Sequence, residues 1–595
     1  MIATRRKKSH SVPAMNVPQR PLDWQIIHRL FRYTSPYATT RNWLFLLVIL
    51  RALQLPLITW TVARVISGPI AHRDRAGTSV DVLLFLALVV ATEITFVHRM
   101  RLALRLGENV VFDMRNQLYA HMLAQPMSFF NSMPLGHLIS RMTSDVDVVR
   151  IGIQDVVFVS TVQFGSMLIA ASMMLYYNWQ LFLVVLLFVP LLWLLLHYFR
   201  ARLSEASRVV QETYSRVTAA LAEYVNGVRI IQAFCRQRYN DAAFSRQIAD
   251  HAQNNFRSAR YSAVFVPLLE LNGQLMLALV VVIGGYQSVR GGLTLESLIQ
   301  FLFLSELLFG PVPILGRQYN QALTAMAGAE RVFALLDTRP GWSDGPHSSS
   351  FATIGGNVEF RSVAFEYESG KPVLHDITMS VSAGQTMALV GATGSGKSSI
   401  ARLLSKLYLP TSGSILIDGH DIGEIKNESL HQLIGTVPQD NFLFSGSVKD
   451  NIRFARPNAR DDAIVRVVHE LDLWEALEEL PKGLDTWVGE KGANLSLGQR
   501  QLVCFARALL ADPRLLILAE ATSAVDALTE ARIQVALQRL LRGRTSLVVA
   551  HRLSTIRDAD LIVVLDRGRI VEQGTHEQLL TRVGSYSKFY RDFVS

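Results

Sequence analysis

Hydrophobic positions along this chain follow two regimes that change near residue 330. Before that point they gather into six long runs, roughly 43–67, 80–98, 151–177, 181–199, 262–288 and 296–315. Each is close to the ~20 residues a helix needs to cross the hydrocarbon core of a bilayer. Beyond the change, apolar residues come in short β-rich runs, such as 386–390 and 515–518, that alternate with helical patterns. That alternation predicts an α/β domain with a largely parallel sheet.

The spacing of the six runs adds to this. Runs one and two, three and four, and five and six are joined by short connections, such as Tyr177-Asn178-Trp179-Gln180. Long polar stretches of helical pattern follow runs two and four, over 101–125 and 200–238. At 1.5 Å per residue, ~25 helical residues reach about 40 Å beyond a membrane face, far enough to act as levers on a separate domain. An even number of spans puts both ends of the chain on one side, and the basic tail (Arg5, Arg6, Lys7, Lys8) makes that side the cytosol. Over 24–31, Ile26, Ile27 and Leu30 alternate with polar residues, a pattern that fits an interfacial helix or an ordinary surface helix equally. Residues 331–355 carry Pro340, Gly341, Gly345, Pro346 and three successive serines, and read as a linker. The expected division is therefore a tail and short helix over 1–42, a six-helix membrane domain over 43–330, the linker, and an α/β domain over 356–595.

Composition agrees with part-membrane, part-globular organisation. Half of the 595 residues are hydrophobic, and no single compact core of that length is expected. The net charge of +10 could point to nucleic acid, but much of it flanks apolar runs, as with Arg99, Arg101 and Arg105. The positive-inside bias accounts for it, and no nucleic-acid partner is expected. Two distant cysteines, Cys235 and Cys504, define neither a disulfide framework nor a zinc site. The polar N-terminus, with no apolar stretch before Trp43, is not a secretory signal.

The sharpest chemistry is the segment 391–398, Gly-Ala-Thr-Gly-Ser-Gly-Lys-Ser, between an apolar strand and a helical stretch. This is the context a phosphate-binding loop requires. Gly391, Gly394 and Gly396 let backbone N–H groups wrap phosphates, with Thr393, Ser395 and Ser399 in the same cradle, and the helix N-terminus adds a favourable dipole. Lys397 supplies charge to the β- and γ-phosphates, and the Ser398 hydroxyl is suited to Mg²⁺. Further on, the apolar run 515–518 leads to Ala519 and Glu520, where a phosphate-loop ATPase positions metal and water.

From about residue 24 onward the chain resembles the ATP-binding cassette (ABC) transporters, in the half-transporter arrangement with exporter-like topology. Residues 495–499, Leu-Ser-Leu-Gly-Gln, are similar to the family's signature. The resemblance implies a membrane all-α six-helix domain plus a cytosolic α/β phosphate-loop ATPase, binding ATP and Mg²⁺ in a bacterial cytoplasmic membrane. It implies that Ser496, Gly498 and Gln499 face the γ-phosphate of ATP held by a partner cassette. Gln439 matches the glutamine that contacts Mg²⁺ and the membrane domain, and Glu520 the general base. His551 matches the histidine that senses γ-phosphate, Asp526 closes a segment resembling the D-loop, and Tyr367 matches the aromatic that stacks on adenine. Residues 129–145 and 223–227 resemble the segments around the two coupling helices, more loosely.

Two positions depart from the family pattern. Leu497 stands where glycine is commonest, while Ser496 and Gly498 remain. Ala519 stands where the pattern has an aspartate that holds Mg²⁺. Loss of such a partner typically weakens metal affinity or activity ~10–100-fold. Retained ATP binding with weakened hydrolysis is the expectation. One cassette and six spans imply an obligate dimer in the bilayer, with a heterodimer slightly favoured. Three readings remain: an active exporter subunit, a weakly hydrolysing partner in a heterodimer, or an importer of siderophores on the same architecture. Arg51, Glu93, Gln163, Glu270, Asn272 and Glu306 fall in or near apolar runs and are candidates for a path for a small-molecule or lipid substrate, which the residues do not name. Arg51 is equally placed to pair with an acid on another helix.

Overall fold

The computed structural model describes residues 23–338, 344, 348–519, 526–550, 552–582 and 584–594, with side chains through 591. The chain divides into two compact units, one of residues 1–122 and 136–338, the other of 123–135 and 339–595.

The first unit is helical. A short helix α1 (Trp24–Tyr33), capped by the Asp23 carboxylate, leads into α2 (Ala38–Val65). The remaining long helices are α3 (Arg75–Leu123), α7 (Phe158–Tyr177), α8 (Trp179–Asn226), α10 (Gln237–Val289), α11 (Leu295–Phe309) and α12 (Pro311–Leu336). Among the described residues, six helical segments are long and apolar enough to cross a membrane. α3 has 49 residues and so runs for about 74 Å, over twice the hydrocarbon thickness. Its apolar half and its polar half form one uninterrupted helix. The helical pattern of 200–238 does not stay unbroken: α8 stops at Gly227, the short α9 (Val228–Ala233) follows, and Cys235 takes a left-handed conformation before α10.

Between 135 and 157 the chain alternates α and π turns: α5 (Leu135–Ser140), a π segment Arg141–Asp145, α6 (Val146–Ile151) and a second π segment Gly152–Val157. Small residues make this seam tight. A Cβ on Gly328 of α12 would lie 2.4 Å from Val148 and 2.9 Å from the Asp145 carbonyl, and one on Gly152 would lie 2.6 Å from the Ala325 methyl. At the seam the buried Asp145 carboxylate is held by both Arg331 of α12 and Arg141. α12 continues to Leu336, past the expected linker start at 331, because the sequence between offers no helix breaker.

The second unit begins with the six-residue α4 (Met127–Ser132) and continues with two sheets. A four-stranded antiparallel sheet has the order β2-β1-β4-β5, formed by β1 (Val358–Glu366), β2 (Pro372–Val381), β4 (Ser412–Ile417) and β5 (His420–Asp421). A six-stranded sheet has the order β10-β9-β3-β8-β7-β6. It is built from β3 (Thr386–Gly391), β6 (Ile434–Val437), β7 (Leu515–Ala519), β8 (Thr545–Val549), β9 (Leu561–Asp566) and β10 (Arg569–Gly574). Five of its strands are parallel, as the apolar runs predict; β10 is an antiparallel edge. The central strands are buried on both faces, which is why they read as continuous apolar runs without alternation.

Candidate nucleotide site

Four neighbouring parallel strands end along one edge of the six-stranded sheet. Leu389 pairs with Val549, Ala519 with Val549, and Leu518 with Val437. The loop after β3, the end of β7, the end of β8 and the segment carrying Gln439 after β6 therefore emerge side by side. The carboxyl edge of an open parallel sheet is where such folds bind ligands.

The loop after β3 leads into α13 (Lys397–Leu404). Its backbone admits only glycine at two places. Gly391 has φ +149° and a Cβ there would sit 2.2 Å from the Leu565 carbonyl; Gly396 has φ +105° and would strike the Leu374 side chain at 2.5 Å. Lys397 is buried, and its ammonium donates to the carbonyls of Gly391 at 2.6 Å and Ala392 at 2.9 Å. Burial lowers its pKa below the ordinary lysine value. The Ser395 hydroxyl, also buried, has no hydrogen-bond partner among the described residues. A buried ammonium turned back on its own loop, beside an unpartnered hydroxyl and a helix N-terminus, fits a phosphate chain. Ser398 is exposed in the first turn of α13, Ser399 is buried, and Thr393 and Gly394 lie exposed at the loop tip.

Tyr367 follows β1 and is 39% exposed. Its hydroxyl lies 3.0 Å from Ser399 Oγ and accepts from Arg402 Nη1 at 3.1 Å, which ties it to α13. Its ring stands edge-to-face with Phe365 at 4.7 Å and with Tyr408 at 5.1 Å.

Ser496 is the N-cap of the helix Leu497–Leu510. Its hydroxyl accepts from Gln499 N–H, and Gln499 Oε1 accepts from Ser496 N–H at 2.9 Å, a reciprocal capping box. Gln499 thus braces the signature serine, Ser496 itself is exposed, and Gly498 is buried. Asp526 caps the helix Ala527–Leu541, accepting from Thr529 N–H at 2.9 Å, and that bond lowers its pKa. Gln439 is exposed, two residues past β6. Ala519, at the end of β7, brings a methyl group to the sheet edge. Glu520, Ser523, Ala524, Val525 and His551 lie outside the described residues.

Several residues here carry no motif. Asp418 accepts from the N–H groups of Gly355 at 2.6 Å, Gly356 at 3.2 Å and Asn357 at 2.9 Å, pinning the segment before β1. Tyr408 is buried between the site's aromatics, and the only sequence signal is that a buried tyrosine must find a partner for its hydroxyl. In the helical unit, Arg51 of α2 donates to the Thr92 carbonyl of α3 at 2.6 Å and lies 3.9 Å from Glu93, so it does pair with an acid on another helix. Asn272 and Gln300 are buried, and Asn272 Oδ1 and both amide atoms of Gln300 have no partner among the described residues; Gln300 is hard to single out in the sequence because one glutamine barely dents an apolar run.

Residues 43–312 match the family described as ABC transporter transmembrane region, and residues 374–523 the family described as ABC transporter. An uncharacterized ABC transporter ATP-binding protein of Bacillus subtilis is 34% identical over 96% of this chain and 94% of its own length. An ATP-dependent lipid A-core flippase of Syntrophus aciditrophicus is 36% identical over 82% of this chain and 81% of its own. A putative multidrug export ATP-binding/permease protein of Staphylococcus aureus is 34% identical over 86% and 89%. With six apolar helical segments and an α/β nucleotide domain in one polypeptide, the chain belongs to the ABC transporter family, as an integral-membrane, exporter-type half-transporter.

Proposed function

We propose that this chain is one half of a dimeric exporter for a small or amphipathic substrate, binding ATP at 391–399 but hydrolysing it slowly by itself. The observation that carries the slow step is the Ala519 methyl at the end of β7, level with Val549 and beside the strand that leads to Gln439. A methyl group can neither accept a hydrogen bond from metal-bound water nor balance its charge.

In this reading Lys397 releases the carbonyls of Gly391 and Ala392 and turns to the β- and γ-phosphates, while Ser395 and the loop N–H groups take the remaining phosphate oxygens. Ser398 and Gln439 would hold the magnesium ion, which supplies charge neutralisation at the phosphates. Tyr367 offers its exposed face to the base. Ser496 and Gly498 meet the nucleotide of a second chain, whose own signature meets this one, and Glu520 orients water. ATP binds the closed pair better than the open pair, and that difference shifts the equilibrium of the membrane helices.

The test is ATPase turnover of the purified protein in a bilayer, alone and with a candidate partner, beside Ala519→Asp. Low turnover alone and a ~10–100-fold rise in the aspartate variant are expected. High turnover of the unaltered chain alone would discard the slow-site reading. It would favour the second one, an active homodimer, which the presence of Glu520, Ser496 and Gly498 in one chain supports. Export is favoured over import because the relatives named above include a flippase and a multidrug export protein. Transport into inside-out rather than right-side-out vesicles checks it.

A further inference from the structure

The aromatic cluster beside the phosphate loop reaches further than the nucleotide. Tyr408 lies in the segment between α13 and β4, and its ring stands edge-to-face against both Phe365, at 5.6 Å, and Tyr367, at 5.1 Å. Phe365 and Tyr408 are both buried, whereas Tyr367 presents more than a third of its surface. The hydroxyl of Tyr408 accepts a hydrogen bond from the Asn131 amide of α4, the short helix that follows α3 in the chain. Three rings therefore form a wall between α4 and α13. Tyr367 is fixed at its hydroxyl by Ser399 and Arg402 and at its ring by two neighbours, one of which is fixed in turn by α4.

We propose that Tyr408 is a positioning residue for the nucleotide base, and that Asn131 sets it: the Asn131–Tyr408 bond holds Tyr408 against Tyr367 so that the Tyr367 face is presented ready for a purine. The inference rests on the reading of Tyr367 as the base platform. An exposed ring with one free torsion loses entropy when a ligand stacks on it; a ring already wedged by an edge-to-face neighbour loses less. Seating α4 thus strengthens base binding, and because such coupling is reciprocal, base binding strengthens the seating of α4 by the same factor. Phosphate binding, which uses the loop 391–399, is left out of this coupling.

That separation gives the experiment. Affinities for ATP and for inorganic tripolyphosphate, which carries the phosphates without a base, are measured on the full-length protein in a bilayer. Tyr408→Phe keeps the ring and its volume and removes only the hydroxyl; Asn131→Ala removes the other end of the bond. Each is expected to weaken ATP about two- to tenfold, the range for one neutral hydrogen bond, with tripolyphosphate unchanged. The double variant is expected to lose no more than either single one, since both remove the same bond. The inference is overturned if both single variants keep the original ratio of ATP to tripolyphosphate affinity, or if the two ligands weaken in step. Tyr367→Ala separates the causes of failure. If its ratio also stays unchanged, the base platform itself is misassigned; if its ratio drops while the other two hold, only the role given to Tyr408 and Asn131 fails.

Discussion

Asp418 shows how one side chain can organise the entrance to a domain. It sits in a left-handed turn with φ +48° and gathers the N–H groups of Gly355, Gly356 and Asn357 on one carboxylate. Burial pushes its pKa up, the backbone donors pull it down, and the donors win, leaving it below the ordinary carboxylate value. A depressed folded pKa means a contribution that is complete above the unfolded value, about 3.9, and is lost as pH falls through the folded one. Between about pH 5 and pH 3 the stability of the nucleotide domain is expected to fall. Asp418→Asn tolerates the left-handed turn, starts less stable and should show a flatter decline, read by thermal unfolding across that range. An equally steep decline in the variant would remove Asp418 from the account. This residue was not legible in the sequence, since an aspartate before a glycine reads as any turn. Lys397, by contrast, was legible from its motif, but its resting bonds to Gly391 and Ala392 were not.

Among elements, the seam between α12 and the π segment Arg141–Asp145 stands apart. Asp145 is a buried acid shared by two arginines, and Gly328 and Gly152 bring the backbones close enough for the bonds to form. Stripping a partner from a buried charge costs ~3–5 kcal/mol; with Arg141 left in place, Arg331→Ala is expected to cost about 2–3 kcal/mol. The readout is a lowered thermal midpoint in detergent, with Arg331→Lys recovering part of it. A midpoint that does not move would show the ion triad to be incidental. Asp145 and Arg331 lie 186 residues apart, so no local pattern joins them. The π segments were also hidden, because their side-chain spacing differs from an α-helix by a single residue per turn. What the sequence did reveal at this scale were the features with a strong period or length: the six apolar runs and the doubly buried strands β3, β7 and β8. The antiparallel sheet was less legible. The alternation along β1 is broken by register shifts between Phe360 and Val363 and again on either side of Phe365, so its apolar positions do not keep a period of two.

At the scale of the molecule, two kinds of unit share one chain, and each was readable by a different rule: length and hydropathy for the helical unit, an ordered set of motifs for the nucleotide unit. The break at Gly227 was not, because the polar pattern around it continues on both sides. One feature of the helical unit ties its first described helix to the end of its last one. Arg29 of α1 makes a two-pronged pair with Asp337 at 2.7 and 2.8 Å, its guanidinium covers the Phe333 ring at 4.1 Å, and Tyr33 stacks on that ring from 6.0 Å. Removing the chain through Tyr33 would strip the cover from Phe333 and the cation from Asp337 while sparing every group around the phosphate loop. Such a trimmed version is expected to aggregate sooner on warming than the full-length protein, although its nucleotide affinity at low temperature stays the same.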